Sequence, residues 1–168
     1  MRTLMAGVLV VLAAAAAVAG QATKYRVTTK VDKQTDFARL KTYAWEPGWQ
    51  AYEPAIHDHI VAAVERELAA LGLTKAPEGA CDVTVVYATL RRTDVDLKSK
   101  ARTAEGLRPT FPVATLVVLI REPSTHKELF RARVDTPIDL APEKVNATID
   151  DRVAQMFARY PTRRAGTR

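Results

Sequence analysis

The chain has a single cysteine, Cys81, among its 168 residues. One thiol cannot form an intramolecular disulfide, so the fold must be held together by its apolar core. The C-x-x-C and Cys/His spacings of structural zinc sites are absent. So are the Gly-x-Ser-x-Gly, Ser-x-x-Lys and glycine-rich phosphate-loop motifs that carry common enzyme chemistries. We therefore expect no catalytic residue, no metal and no cofactor.

Long apolar runs are also scarce, and the only one lies at the N-terminus. Arg2 precedes an apolar run over 4–19 that ends in Ala17-Val18-Ala19. This order of charge, apolar run and small residues is typical of a secretory signal peptide. We expect residues 1–19 to be removed by cleavage after Ala19, with Ala22 as a second possible position. The alternative is a retained anchor, although the run is shorter than the ~20 apolar residues that span a membrane.

Cysteine is missing from the region that follows the leader, so lipid attachment at a new N-terminus is not expected. The sequence therefore predicts a periplasmic or secreted protein. Its formal net charge is +6, to which the leader contributes only Arg2. A basic surface favours anionic envelope lipid or polysaccharide as a partner, whereas an exported protein seldom meets nucleic acid.

Two amphipathic helices are predicted from apolar residues at helical spacing. The first begins at Pro54 and ends at Gly72, where a glycine can cap it. The second begins at Pro142 and ends before Pro161. Their apolar stripes consist of Ile56, Ile60, Val64, Leu68 and Leu71 in the first helix, and Val145, Ile149, Val153, Met156 and Tyr160 in the second.

Five strands are predicted from alternating or continuous apolar segments, at residues 24–33, 41–45, 81–92, 111–121 and 128–135. The order is β-β-α-β-β-β-α. Because each helix has one stripe to bury, we expect an α+β domain over 24–161. Its single mixed, mainly antiparallel sheet would carry both helices on one face. Residues 93–110 are predicted to be a long connection, and residues 162–168 a basic disordered tail.

His57-Asp58-His59 is the only histidine cluster in the sequence. Histidines two positions apart on a helix point about 200° away from each other, so they cannot share one metal ion. Cys81 precedes a buried strand, where a free cysteine behaves as a small apolar residue. Asp94 and Asp96 have the spacing of one strand face, but basic residues flank them, which favours exposure to solvent over cation binding.

A basic segment and an aromatic segment are candidates for a partner or anion surface. The residues are Arg91, Arg92, Lys98, Lys100, Arg102, Trp49 and Tyr52. Clustered cations attract anionic polymers or lipids, while exposed aromatic rings can contact a partner or a glycan. The alternative interpretation is a solvated loop beside aromatic rings that cover the core.

Several motifs together resemble a family of predicted bacterial lipoproteins, the domain of unknown function 4136. They are Thr35-Asp36-Phe37, Thr42-Tyr43-Ala44-Trp45, the strand Cys81-Asp82-Val83-Thr84-Val85-Val86-Tyr87, and Phe157-Ala158-Arg159-Tyr160-Pro161. The chain departs from the family in lacking a lipid-modified cysteine after the leader. It also has charges where many members have a glycine- and aromatic-rich stretch, at 93–110. The resemblance implies no catalytic residue.

Together these features favour a non-enzymatic binding or scaffold module of the cell envelope. Two alternatives remain open at this stage. One is a metal-dependent or hydrolytic enzyme that uses the region of His57, Asp58 and His59. The other is a protein that binds anionic lipid or polysaccharide through the basic loop at 93–110.

Overall fold

A computed structural model describes residues 26–77, 79–138 and 142–162. The predicted leader and nearly all of the predicted basic tail lie outside these residues. The strands are β1 (Thr28–Val31), β2 (Thr42–Trp45), β3 (Thr74–Lys75), β4 (Val83–Val95), β5 (Thr110–Arg121) and β6 (Glu128–Pro137), and the helices are α1 (Pro54–Ala70) and α2 (Pro142–Phe157).

The six strands form one mixed sheet in the order β1-β6-β5-β4-β2-β3. The long strands β4, β5 and β6 pair antiparallel, and β1 pairs antiparallel with β6. Strand β2 pairs parallel with both β3 and β4. The predicted α+β class and the predicted mixed sheet are therefore confirmed.

Three details of the sequence prediction were wrong. Among the described residues, β1 covers only Thr28–Val31 of the predicted strand at 24–33. The short strand β3 was not predicted, because two exposed residues carry no alternating pattern. Strand β4 continues through Thr93 to Val95, which had been assigned to the connection. These residues are polar or exposed, but their backbone continues the ladder with β5 as far as Val95 and Thr110. The connection is correspondingly shorter, from 96 to 109.

Local signals explain where the first helical elements begin and end. The carboxylate of Asp36 accepts a hydrogen bond from the backbone N–H of Ala38 and caps a 3-10 turn at Phe37–Arg39. Pro54 occupies the first position of α1, where a missing N–H has no consequence. At the other end, Gly72 adopts a φ of 84°, which ends the helix.

Both helices pack on the same face of the sheet. On that face, Val85, Ile120 and Phe130 lie side by side across three neighbouring strands. They belong to one buried cluster that includes Leu68 of α1 and Val153 of α2. This confirms the predicted burial for most of the two stripes, from Ile60 to Leu68 and from Val153 to Tyr160. No helix among the described residues is long and apolar enough to cross a membrane.

Candidate functional site

A cavity of about 750 Å³ lies between the N-terminal parts of the two helices and the sheet. Most of its wall is apolar. The wall includes Ile56 and Ile60 from α1, Val145 and Ile149 from α2, and Leu116 and Val134 from the sheet. These side chains leave a space between the layers at this end of the domain.

The chain path explains why the cavity forms at this end. Helix α1 connects two parallel strands, so it runs antiparallel to them. Its first turns therefore lie above the C-terminal half of β4. Helix α2 follows β6 and returns over it in the same way. The sheet below the first turns carries short side chains, among them Thr89, Ala114 and Thr136. Short side chains on the sheet cannot fill the gap that the helices leave.

The segment before α1 forms one rim of the cavity and is fixed to β4. The backbone N–H of Thr89 donates to the carbonyl oxygen of Trp49 at 2.8 Å, and the N–H of Ala51 donates to the hydroxyl of Tyr87 at 3.2 Å. Gly48 is required for this close approach, because a Cβ at its position would lie 2.2 Å from the carbonyl oxygen of Tyr87. The rim therefore has a defined position.

Three charged side chains are among the described residues that line the cavity: Glu53, Arg91 and Arg152. Nη2 of Arg91 lies 3.0 Å from Oε1 of Glu53, so these two form an ion pair at the rim. Arg152 comes from α2, one turn after Thr148, which also lines the wall. Polar groups are therefore few and are placed around an apolar interior.

The predicted aromatic and basic surface residues lie in several different places. Tyr52 and Arg91 line the cavity, and Tyr52 is 96% exposed. Trp49 is 71% exposed on the adjacent rim segment. Arg92 lies on the sheet face opposite the helices, because successive residues of a strand alternate between faces. The structure thus separates Arg91 from Arg92.

Arg92 is the centre of a polar network on the opposite face. Its guanidinium donates to Asp94 at 3.0 Å, to the hydroxyl of Thr115 at 2.9 Å and to Asp135 at 3.1 Å. Hydrogen bonds from Arg92 to Asp135 and Asp94 raise its pKa. For Asp135, burial alone would raise the pKa, but hydrogen bonds from Arg92 and Thr115, together with nearby arginine charges, lower it overall. Arg92 is thereby held by carboxylates of its own chain.

The remaining basic candidates lie in the connection between β4 and β5. Lys98, Lys100 and Arg102 are exposed there. The guanidinium of Arg102 donates to the carbonyl oxygens of Ser99, Lys100 and Ala101, so it folds back on its own loop. A partner surface formed by these residues stays a prediction, and the structure does not join them to the cavity.

The two histidines of the His-Asp-His cluster point to different neighbours. His57 stacks on the ring of Tyr87, with its Nδ1 at the tyrosine hydroxyl, and burial raises the pKa of Tyr87. His59 Nε2 lies 3.0 Å from Asp150 on α2. The pKa of Asp150 is lowered, chiefly by a hydrogen bond from Arg66 and also by His59. His57 thus supports the rim, whereas His59 joins the two helices.

The other candidates have structural partners or positions. Cys81 is a free, half-buried thiol two residues before the start of β4. Asp94 accepts a hydrogen bond from Arg92, and Asp96 accepts from the backbone N–H groups of Lys98 and Ser99. In the part of the chain that the structure describes, no three His, Cys, Asp or Glu side chains lie close enough together to hold a metal ion.

Sequence reasoning missed the cavity, together with Glu53 and Arg152. Ile56, Val145 and Ile149 were assigned to buried stripes, yet each is only half-buried. The available signal was the spacing of Thr148 and Arg152, four residues apart on the flank of an apolar stripe. That pattern describes any amphipathic helix boundary, so it could not indicate a space between layers.

Comparisons with known proteins agree with this architecture. A family model described as "Domain of unknown function (DUF4136)" matches residues 27–162. No curated protein is similar enough in sequence to match the chain. The crystal structure of a PDZ domain protein from Parabacteroides distasonis is similar over 84% of this chain, at 15% identity and a TM-score of 0.59. The chain spans 36% of that protein's length, so the similarity concerns the fold of one part.

Two further solved structures share less of the geometry. One is the PelC dodecamer from Paraburkholderia phytofirmans, with a TM-score of 0.48 and 12% identity over 79% of this chain and 97% of that chain. The other is a minor lipoprotein from Acinetobacter baumannii, with a TM-score of 0.42 and 14% identity over 70% of this chain and 90% of that chain. At these scores, neither supports an argument about function.

Proposed function

The chain belongs to the DUF4136 family, and we propose that it is a non-enzymatic binding module of the bacterial cell envelope. In this proposal its ligand is a small amphiphile whose apolar chain occupies the cavity between the helices and the sheet. The cavity is the single observation that carries the proposal. Its volume of about 750 Å³ lies within the roughly 300–1,000 Å³ typical of small-molecule pockets.

The chemistry of the wall indicates the class of ligand. Apolar side chains from both helices and from the sheet converge on the space, while the charged groups are few. Burying an apolar chain against such a wall releases water from both surfaces and is favourable. A polysaccharide would instead need many hydrogen-bonding partners, which this wall does not offer.

The absence of catalysis is part of the proposal and rests on the composition of the wall. The charged side chains described there are one carboxylate and two guanidinium groups, and no histidine or cysteine accompanies them. Catalysis by acyl transfer would need a nucleophile beside a base. Release of fatty acid from a bound long-chain ester, lost when one polar residue of the wall is changed, would contradict this part.

Binding of dodecanol, a neutral single-chain amphiphile, tests the proposal directly by calorimetry on the purified protein. We expect saturable binding to one site. Two substitutions that fill the cavity, Leu116→Trp and Ile149→Phe, should each abolish it. The two substitutions lie on different elements, so the test still works if one of the variants does not fold.

The matched control is Leu119→Trp on the same strand. Leu119 lies on the sheet face opposite the cavity, because it is three residues from Leu116. This variant should bind dodecanol as the unchanged protein does. If dodecanol does not bind, or if all three variants bind equally well, the proposal is wrong.

The envelope location is supported by the signal-like segment at residues 1–19. Expression of the full chain with a C-terminal tag in a bacterial host tests it. We expect recovery outside the cytoplasm, with a mass that corresponds to cleavage after Ala19 or Ala22. Recovery in the cytoplasm with an intact N-terminus would contradict the proposed location.

A further inference from the structure

The cavity has one more positive than negative charge in its described wall. Arg91 and Arg152 are opposed by Glu53 alone. Glu53 is already paired with Arg91, since both of its carboxylate oxygens accept from Nη2 of Arg91, at 3.0 and 3.3 Å. Arg152 is therefore the cation that no carboxylate among the described wall residues pairs.

Arg152 is only partly satisfied by its neighbours on α2. Its Nη1 donates to Oε1 of Gln155 at 3.1 Å and lies 3.6 Å from Oδ2 of Asp151. The side chain of Asp151 is 59% exposed, and it also accepts a hydrogen bond from Gln155, so solvent weakens its attraction to Arg152. Asp151 therefore contacts Arg152 less closely than Glu53 contacts Arg91, at 3.6 Å against 3.0 Å.

The Nε of Arg152 is buried and has no hydrogen-bond acceptor among the described residues. A buried N–H without an acceptor is unfavourable, and a charged guanidinium makes it more so. An anionic group in the cavity would match the charge of the guanidinium that lines its wall. Thr148 lines the wall one helical turn before Arg152.

The N-terminal ends of the two helices also favour an anion in the cavity. The cavity is lined by Ile56 in the first turn of α1 and by Val145 in the first turn of α2. The N-terminal end of a helix carries a partial positive charge. Two such ends beside one space add to the positive potential that Arg152 produces.

We infer that the ligand is a single-chain amphiphile with an anionic head group, which Arg152 binds while the apolar chain lies against Leu116 and Ile60. This inference rests on the proposed function and specifies the class of ligand that the same site binds. A carboxylate and a phosphate monoester share the required chemistry, so the head group is defined here by its charge and its oxygen atoms.

The test compares dodecanoate, dodecyl phosphate and dodecanol, which have the same chain length, by calorimetry at neutral pH. We expect at least one anion to bind about tenfold or more tightly than dodecanol, because hydrogen bonds to charged groups contribute on that scale. The anion with the higher affinity identifies the head group. If dodecanol binds and neither anion binds more tightly, the inference is wrong while the proposed function stands.

The substitution Arg152→Gln should remove the preference for the anion over dodecanol, measured as the ratio of the two affinities in the same variant. Arg152→Lys keeps the charge and should retain part of the preference, which separates a charge effect from a loss of structure. The matched control is Arg131→Gln, since Arg131 is a half-exposed arginine on the opposite sheet face. An undiminished preference in Arg152→Gln would overturn the inference, and failure of all three amphiphiles to bind would overturn both proposals.

Discussion

The two ends of the layer between the helices and the sheet differ in how completely side chains fill it, although the same strands and helices form both ends. At the closed end, Phe130, Phe157 and Tyr160 are fully buried, and the ring of Phe37 lies against Tyr160 at a centroid distance of 5.2 Å. At the open end, which we define by the lining residues Ile56, Leu116, Val134 and Ile149, the side chains surround a cavity. Strand β6 passes from one end to the other within a few residues.

Side-chain volume and a supporting loop distinguish the two ends. Aromatic rings fill the closed end, and the turn that carries Phe37 closes its edge. At the open end the sheet contributes shorter side chains, and the adjacent rim segment keeps Trp49 and Tyr52 outside. An amphipathic stripe thus guarantees that a helix packs on a sheet, but the space between the layers closes only where large side chains are supplied.

The largest expected effect comes from deleting a ring at the closed end. Phe130→Ala should lower the free energy of unfolding by about 3–5 kcal/mol, because a large cavity forms in close-packed surroundings. Leu116→Ala at the open end should cost about 2 kcal/mol, since Leu116 already borders a space. Urea denaturation of both variants measures the difference, and equal losses would contradict the distinction between the two ends.

The second-largest effect on stability is expected from enlarging a side chain at each end. Val118→Phe, next to the closed end, should cost about 1–3 kcal/mol through overpacking, because Val118 is completely buried. Leu116→Phe, two residues earlier on the same strand face, should change the stability by less than about 1 kcal/mol because the added atoms enter the cavity. Thermal melts and urea titrations of the pair check this. A large loss in Leu116→Phe would mean that the cavity has no room for a ligand.

A smaller effect concerns the polar contacts at the closed end. Asp82 accepts hydrogen bonds from the backbone N–H groups of Lys41 and Thr42, at 2.8 and 2.9 Å, and these bonds lower its pKa. A lowered pKa in the folded state adds stability above the unfolded value near 3.9, and this is lost as the pH falls through the folded pKa. Solvent screens this exposed carboxylate, so Asp82→Asn should cost no more than about 1 kcal/mol at neutral pH.

The pH dependence provides the control for that substitution. Below the lowered folded pKa of Asp82, where its carboxyl is protonated, the stabilities of Asp82→Asn and the unchanged protein should converge. Urea titrations at both pH values measure this. A difference that stays constant with pH would show that the backbone contacts of Asp82 do not depend on its charge.

The smallest effect on stability is expected at the rim of the open end. Glu53 and Arg91 form an exposed ion pair, so Glu53→Gln should change the free energy of unfolding by no more than about 0.5 kcal/mol. It should nevertheless increase the affinity for an anionic amphiphile about two- to fivefold, because a second positive charge becomes unpaired. Calorimetry with dodecanoate checks this, with dodecanol as the control ligand. Weaker dodecanoate binding would indicate that Glu53 itself contacts the ligand.

Sequence patterns predicted the elements well where periodicity was strong. The stripe of α1 from Ile56 to Leu68, the buried strand at Val85 and the capping glycine at Gly72 are local features, so the chain itself specifies them. Short or polar segments were less predictable. Strand β3 and the last residues of β4 exist only because a neighbouring strand offers hydrogen bonds to their backbone.

The basic residues of the candidate surface also show what a sequence pattern leaves undetermined. Arg91 and Arg92 are adjacent in sequence and were grouped together, yet strand alternation places them on opposite faces. The charge of Arg92 is matched within the chain by Asp94 and Asp135, two partners that differ greatly in sequence distance. Composition and charge runs cannot show which cations are neutralised in this way.

The sequence by itself determined the α+β class, the two helices that share one sheet face, and the family to which the chain belongs. Those properties follow from periodicity and short motifs, which are local. Only the tertiary structure decided that the layer is filled at Phe130 and open at Leu116, and that Arg152 is the cation paired by no carboxylate of the described wall. Such features depend on the side-chain volumes and charges that distant segments bring together, and a local sequence pattern does not contain that information.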